Sequence, residues 1–173
     1  MRTLVIYYSR SGNTKRIAEQ VATALGADLE AIADPTVRSG LRGYQRSGFQ
    51  AFFHRTVDIG PVARDPASYD LVVVGTPIWN VSLSSPVRSY LRRYRASLPA
   101  VAFFCTCGGM GMARVFAQMA RESRQQPKAT LVVREAELAT AASAIERFAR
   151  DLRGGPAATG APGPVAQPSA ATH

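Results

Sequence analysis

Short apolar runs alternate with longer amphipathic stretches along most of this chain, and the alternation limits the folds that it can adopt. The runs are rich in β-branched and aromatic residues, which is typical of buried strands. They cover residues 3–8, 29–33, 71–75, 101–106 and 130–133. Helical stripes occur within residues 14–26, 87–98, 112–119 and 138–152. Strands that alternate with helices predict an α/β fold, in which helices cover both faces of a parallel sheet.

Two segments do not follow the alternation. Residues 34–66 contain aromatic side chains that could line a helix, but several glycines weaken that interpretation. The tail, residues 154–173, is rich in Gly, Ala and Pro and has only Val165 as a sizeable apolar side chain. Such a tail cannot bury enough apolar surface to become ordered. We therefore predict one domain, residues 1–153, followed by a disordered tail.

The composition argues against a metal centre and a membrane span. The two cysteines, Cys105 and Cys107, have no second Cys pair or histidines at the spacing of metal ligands. Every apolar run is far shorter than the roughly 20 residues that a membrane-spanning helix needs. The first residues lack the cleavage-site pattern of a signal peptide, so we expect a cytoplasmic location.

Three loops with unusual chemistry each follow a predicted strand. We call residues 9–14 the first loop, residues 76–86 the second loop and residues 105–111 the third loop. The carboxyl ends of parallel strands meet at one edge of a sheet, and ligands bind there, where the strand order reverses. We therefore expect all three loops to lie at one end of the sheet and to form a binding site.

The first loop has the chemistry of a phosphate site. Its sequence is Ser9-Arg10-Ser11-Gly12-Asn13-Thr14, and a predicted helix follows it directly. A helix N-terminus offers unpaired N–H groups to an anion, and four polar side chains add donors around Gly12. Ordinary helix capping is the alternative, although a cap needs only one such residue. The loop matches neither the dinucleotide pattern GxGxxG nor the Walker pattern GxxxxGK followed by Ser or Thr.

This motif, Ser9-x-Ser11-Gly12-Asn13-Thr14, resembles the phosphate loop of the flavodoxin family. The resemblance extends over residues 1–152 through the order of strands and loops, and it implies FMN as the cofactor. It also implies a doubly wound three-layer sandwich with a five-stranded parallel sheet of order 2-1-3-4-5. The first loop would then hold the 5′-phosphate, with Arg10 adding charge attraction.

The same resemblance implies that the other two loops flank the flavin ring. The second loop begins with Thr76-Pro77-Ile78-Trp79-Asn80, in which Trp79 is the only tryptophan of the chain. Packing in the core or at an interface is the alternative role for Trp79. Thr106-Cys107-Gly108-Gly109 of the third loop would close over the other side of the flavin, or would serve only as a turn.

The cysteines next to the third loop suggest no redox role of their own. A disulfide across the single residue between Cys105 and Cys107 would be strained, so we predict Cys105 as a buried apolar side chain. Cys107 could contact the flavin, but no pattern gives it a catalytic role. We assign no catalytic residue in this chain.

The charge distribution departs from that of typical flavodoxins, which are acidic. The formal net charge is +9, and no acidic residue lies between Asp70 and Glu122. That stretch carries Arg88, Arg92, Arg93, Arg95, Arg114 and Arg121. A further stripe, Arg38, Arg42 and Arg46, is either a solvated helix face or an anion site beside the flavin. Positive potential there would stabilise anionic reduced flavin and favour two-electron chemistry.

We therefore expect a small FMN-dependent oxidoreductase that takes electrons from NAD(P)H and passes them to a quinone or another small-molecule acceptor. A non-enzymatic electron carrier that docks on a redox protein through its basic face is the alternative. A nucleic-acid-binding protein is less favoured because the chain lacks a recognition motif, so no nucleic acid is expected. Small flavin reductases of this fold are often dimers or tetramers, which makes residues 34–66 a candidate homodimer contact.

Overall fold

The computed structural model describes residues 1–33 and 56–154. In chain order, the strands and helices of these residues are β1 Thr3–Tyr7, α1 Asn13–Leu25, β2 Asp28–Ala31, β3 Leu71–Trp79, β4 Ser82–Leu83, α2 Ser85–Tyr94, β5 Ala100–Cys107, α3 Met112–Ser123, β6 Thr130–Arg134 and α4 Ala142–Leu152. Short 3-10 turns occur at Pro66–Ser68 and Glu135–Glu137.

The sheet is doubly wound, as predicted. Five parallel strands follow the order β2-β1-β3-β5-β6, which is the predicted order 2-1-3-4-5 when β4 is set aside. The predicted number of five strands is wrong, since β4 adds a sixth strand that pairs with the end of β3 in the antiparallel direction. The sheet therefore keeps its predicted topology and gains a short hairpin at one end.

The end of β3 is a second correction. The second loop was predicted to begin at Thr76, but β3 continues through Trp79. Proline usually marks the edge or the end of a strand, which is why Pro77 indicated a loop. Here Pro77 stays in register with Thr106 of β5, and the strand continues past it because Ile78 and Trp79 pair with β4.

Two packed layers flank the sheet, because alternate residues of each strand face opposite sides. One core lies between the sheet and helices α2 and α3, and includes Leu4, Ile6, Phe103, Tyr90, Leu91 and Met119. The other lies between the sheet and helices α1 and α4, and includes Val5, Val73, Phe104, Ile17, Val21 and Phe148. The predicted three-layer sandwich is thus confirmed.

A glycine in the central strand leaves room for an aromatic ring of the neighbouring strand. Gly75 of β3 lies opposite Phe104 of β5. A Cβ atom on Gly75 would lie 2.1 Å from Cζ of Phe104, a distance that no real side chain tolerates. The ring therefore occupies the space that a side chain at residue 75 would need, which explains a glycine inside a buried strand.

Some predictions fall outside the described residues. These are the arginine stripe at Arg38, Arg42 and Arg46, most of the candidate contact 34–66, and the tail after Gly154. Among residues 1–33 and 56–154, no helix combines the length and the apolar character of a membrane span. The same residues contain no cluster of three or more His, Cys, Asp or Glu side chains suited to a metal ion.

Candidate functional site

The three loops meet at one end of the sheet, as the sequence predicts. They follow β1, β3 and β5, which are parallel neighbours in the sheet. The chain runs from β1 to β2 on one side and returns to β3 on the other side, so the strand order reverses between β1 and β3. A reversal of this kind opens a crevice at the carboxyl ends of the strands, where ligands bind.

The first loop leads directly into helix α1, whose N-terminus lies at this crevice. Gly12 is the N-cap of α1, has φ 95°, and no side chain in the described part of the chain makes a cap hydrogen bond there. Ser9 Oγ instead accepts a hydrogen bond of 3.2 Å from the N–H group of Gly12. The first intrahelical bond runs from the N–H group of Arg16 to the carbonyl of Gly12. The capping role left open by the sequence is therefore not seen, and the first turn retains donors for a ligand.

The polar side chains of the first loop are also accessible. Arg10, Ser11 and Gly12 are exposed, while Ser9 and Asn13 are half-buried. A Cβ atom on Gly12 would have no other atom of the described residues within 4 Å, so these residues leave open space next to the backbone there. Exposed hydroxyls, backbone donors and free space together fit a phosphate group.

Thr14 and Thr106 are placed differently from the rest of the predicted site. Thr14 is 1% exposed and Thr106 is 4% exposed. Their hydroxyl oxygens lie 2.8 Å apart in a buried hydrogen bond. The bond joins the first turn of α1 to the carboxyl end of β5. This hydrogen bond therefore connects the first loop with the third loop beneath the exposed part of the candidate site.

A tight hairpin replaces the predicted open second loop. Asn80 and Val81 link β3 to β4 with φ values of 50° and 57°. Two-residue hairpins favour positive φ at both central residues, which suits asparagine but strains a β-branched valine. Thr76 is fully buried, and its hydroxyl lies 2.9 Å from the hydroxyl of Ser84 at the start of α2. Pro77 and Ile78 are buried between these points.

Trp79 connects the hairpin to the first loop. It is the last residue of β3 and is half-buried. Cζ of Arg10 lies 4.9 Å from the centroid of the Trp79 ring, which is the distance of a cation–π contact. The sequence placed both residues at the site but gave no sign that one would stack on the other.

The third loop contributes space and a close contact. Gly108 and Gly109 are exposed, and within residues 1–33 and 56–154 no other atom would lie within 4 Å of a Cβ atom on either. Gly111 has φ 92°, and a Cβ atom there would lie 2.7 Å from Cγ1 of Val81. The tip of the hairpin therefore rests on the backbone of the third loop, and glycine is required at residue 111.

Both cysteines are free and buried at the end of β5. Cys105 is 0% exposed, which confirms its prediction as a buried apolar side chain, and Cys107 is 3% exposed. Burial raises the pKa of both thiols. For Cys107, a hydrogen bond from the backbone of Gly109 and the charge of Arg134 act in the opposite direction but do not outweigh burial. Both side chains are therefore neutral thiols at pH 7.

The basic stretch is partly neutralised inside the fold, which sequence patterns did not reveal. The carboxylate of Glu122, 6% exposed, binds Arg88, Arg92 and Arg121 at 2.7, 2.6 and 3.4 Å. Arg93 also lies 3.8 Å from Asp58. A groove of about 700 Å³ lies elsewhere, between α1 and α4, and none of the predicted site residues lines it.

Comparison with known proteins agrees with the fold. A family model described as flavodoxin matches residues 2–147. A flavoprotein in complex with FMN from Lactobacillus acidophilus NCFM is 21% identical, with a TM-score of 0.64 over 80% of this chain and 96% of that chain. A flavoprotein from Bacteroides eggerthii DSM 20697 is 21% identical, with a TM-score of 0.68 over 87% of this chain and 96% of that chain.

A more distant structure, described as a flavone reductase, is 12% identical, with a TM-score of 0.54 over 89% of this chain and 64% of that chain. A search of curated proteins gives no match. At these identities, the structural likenesses establish a shared fold.

Proposed function

The chain belongs to the flavodoxin family, and on that premise we propose that it binds FMN at the three loops and acts as a small NAD(P)H-dependent oxidoreductase. One observation carries the proposal. Helix α1 begins without a side-chain cap directly behind the exposed first loop, at the point where the strand order reverses. That combination offers a phosphate group backbone donors and a partial positive charge.

The residues present fit the two ends of FMN. Ser9, Ser11 and Asn13, with the backbone donors of the first turn of α1, would hold the phosphate. The open space beside Gly108 and Gly109 would admit the ring next to Trp79. FMN supplies the redox chemistry, while the protein binds it, orients it and limits access of water.

The electron donor and acceptor are the finer part of the proposal. Arg114, in the first turn of α3 after the third loop, is exposed. Positive charge at this point favours approach of the phosphates of a nicotinamide nucleotide. The likeness to a flavone reductase supports a small organic acceptor such as a quinone.

The second candidate function is electron transfer without catalysis, by docking on an acidic redox protein. Between residues 71 and 134 the chain carries nine basic residues and a single acidic one, the buried Glu122. Arg92 and Arg121 keep much of their side chains exposed although they bind that carboxylate. A basic surface of this kind speeds association with an acidic partner in a salt-dependent way.

The test is an absorbance spectrum of the purified protein with and without FMN, followed by NADPH or NADH without oxygen. Bound flavin that is bleached by either nucleotide supports the oxidoreductase. Bound flavin that stays oxidised favours the carrier, and absence of binding contradicts both. Ser11→Glu should abolish FMN binding by placing a carboxylate where the phosphate binds, whereas Gln20→Glu, the same charge change within α1, should not.

A further inference from the structure

The contact between Arg10 and Trp79 joins two loops that are far apart in sequence. Cζ of Arg10 lies 4.9 Å from the centroid of the Trp79 ring. Arg10 lies between Ser9 and Ser11, two of the proposed phosphate ligands, and its side chain is exposed. The guanidinium of Arg10 therefore belongs to the loop proposed to bind the phosphate and also covers the ring of Trp79, which is proposed to lie beside the flavin.

Stacking on Trp79 and binding a phosphate use the same cation. A planar guanidinium stacks well on an aromatic face, but at an exposed position the contact is weak. Charge-assisted, bidentate bonds between arginine and phosphate are much stronger. A ligand with a phosphate can therefore draw Arg10 away from Trp79 by forming the stronger bond, whereas an uncharged ligand forms no such bond with the guanidinium.

We propose that Arg10 makes the site select phosphorylated flavins: it covers Trp79 in the flavin-free protein and leaves the ring when a phosphate binds to the first loop. The inference rests on the proposed binding of FMN and concerns how the site distinguishes FMN from riboflavin. A ligand shifts an equilibrium only by the difference between its affinities for the two states. Riboflavin would have to displace Arg10 from Trp79 but has no phosphate to bind the guanidinium in exchange. The stacking of Arg10 on Trp79 therefore discriminates against riboflavin.

The flavin-free protein provides the first readout. Trp79 is the only tryptophan, so its fluorescence reports on this ring alone. Inorganic phosphate should change the emission of the wild-type protein and should leave that of Arg10→Met unchanged. Arg16→Met is the matched control, because it removes one exposed positive charge from α1 at a residue that lines the groove beside α4. It should respond to phosphate as the wild type does.

The second readout is the affinity for two flavins, measured by titration. Arg10→Met should bind riboflavin about 3-fold more tightly and FMN about 10-fold more weakly than the wild type, a range set by an exposed cation–π contact and one charge-assisted bond. Arg16→Met should change the preference for FMN over riboflavin less than about 2-fold. The preference should thus fall in the Arg10 variant alone.

The outcomes separate this inference from the proposed function. If the wild type binds FMN, and Arg10→Met keeps the wild-type preference and the wild-type response to phosphate, the role of Arg10 is overturned and FMN binding stands. If the wild type binds neither flavin, the proposed function fails and this inference fails with it. Loss of preference together with loss of the phosphate response in Arg10→Met supports the inference.

Discussion

The hydroxyl groups of Thr14 and Thr106 lie 2.8 Å apart and fasten the start of α1 to the carboxyl end of β5. The two residues are separated by 92 positions in sequence. Since Thr14 is the last residue of the first loop and Thr106 begins the proposed contact of the third loop, this bond fixes the spacing between two parts of the candidate site. A site held in place before its ligand arrives loses less entropy on binding.

Removal of either hydroxyl should weaken the fold because it leaves the other one buried without its partner. Thr14→Val and Thr106→Val should each lower the free energy of unfolding by about 1–2 kcal/mol. The double variant should cost less than the sum, since two apolar groups of the same shape replace the pair. Chemical denaturation of all four proteins measures the coupling, and strict additivity would contradict the bond.

Thr3→Val serves as the matched control for these threonine variants. Oγ1 of Thr3 is buried and has no hydrogen-bond partner among the described residues. Replacement of that hydroxyl by a methyl group should therefore leave the free energy of unfolding unchanged or raise it by about 1 kcal/mol. A loss as large as that of Thr106→Val would mean that the shape change alone explains the result.

Gly111→Ala should destabilise the site for two reasons that a control separates. A Cβ atom at residue 111 would lie 2.7 Å from Val81, and φ is 92° there. Gly154 has φ 103° and no atom of the described residues within 4 Å of its Cβ position, so Gly154→Ala tests the backbone strain without such a contact. We expect a loss of about 1 kcal/mol for Gly154→Ala and about 3 kcal/mol for Gly111→Ala in thermal or chemical unfolding. Equal losses would show that contact with Val81 adds nothing.

The parallel strands could be predicted from sequence because an apolar run marks each of them, whereas their order was implied by the resemblance to the flavodoxin family. The run at 71–75 is continuous and apolar on both faces, as a central strand requires. The end of β3 could not be predicted in this way. Pro77 signals a strand end locally, and the residues of β3 beyond it, Ile78 and Trp79, continue the strand by pairing with β4. Val81 gives no turn signal either, since valine rarely adopts positive φ.

The candidate site was likewise predictable from sequence only where its residues form a local motif. The first loop was recognisable because its residues lie next to one another, and their chemistry does not depend on distant partners. The contact between Arg10 and Trp79 and the bond between Thr14 and Thr106 join residues that are far apart in sequence. No periodicity or local motif encodes such pairs, so they appear only once the sheet has brought the loops together.

The cysteines should resist thiol reagents in the folded protein. Both are buried, and burial raises the pKa of each thiol. At pH 7 they remain protonated and inaccessible, so labelling should be slow in buffer and should reach two thiols per chain in denaturant. Cys107 adjoins the exposed Gly108 and should react before Cys105. The faster phase should disappear in Cys107→Ser; rapid labelling of both thiols in the native protein would contradict this arrangement.

Glu122 should make the stability of the fold sensitive to acid. Burial acts to raise the pKa of its carboxyl, but the hydrogen bonds and charges of Arg92 and Arg88 outweigh burial and hold that pKa below its ordinary value. A carboxyl with a lowered pKa stabilises the fold above its pKa in the unfolded chain, about 4.3. This contribution is lost as the pH falls from there through the lower pKa of the folded state.

Glu122→Gln tests both the buried charge and the sign of the pH effect. At pH 7 it should lower the free energy of unfolding by about 3 kcal/mol, because Arg88, with 7% of its side chain exposed, loses its carboxylate. Arg121→Gln is the control: Arg121 binds the same carboxylate but is 71% exposed, so its loss should cost less than about 1 kcal/mol. Below about pH 4.3 the wild-type protein loses the contribution of Glu122 and the variant has none to lose, so their stabilities should converge. Curves that stay parallel from pH 7 to pH 3 would show that the arginines do not lower the pKa of this carboxyl.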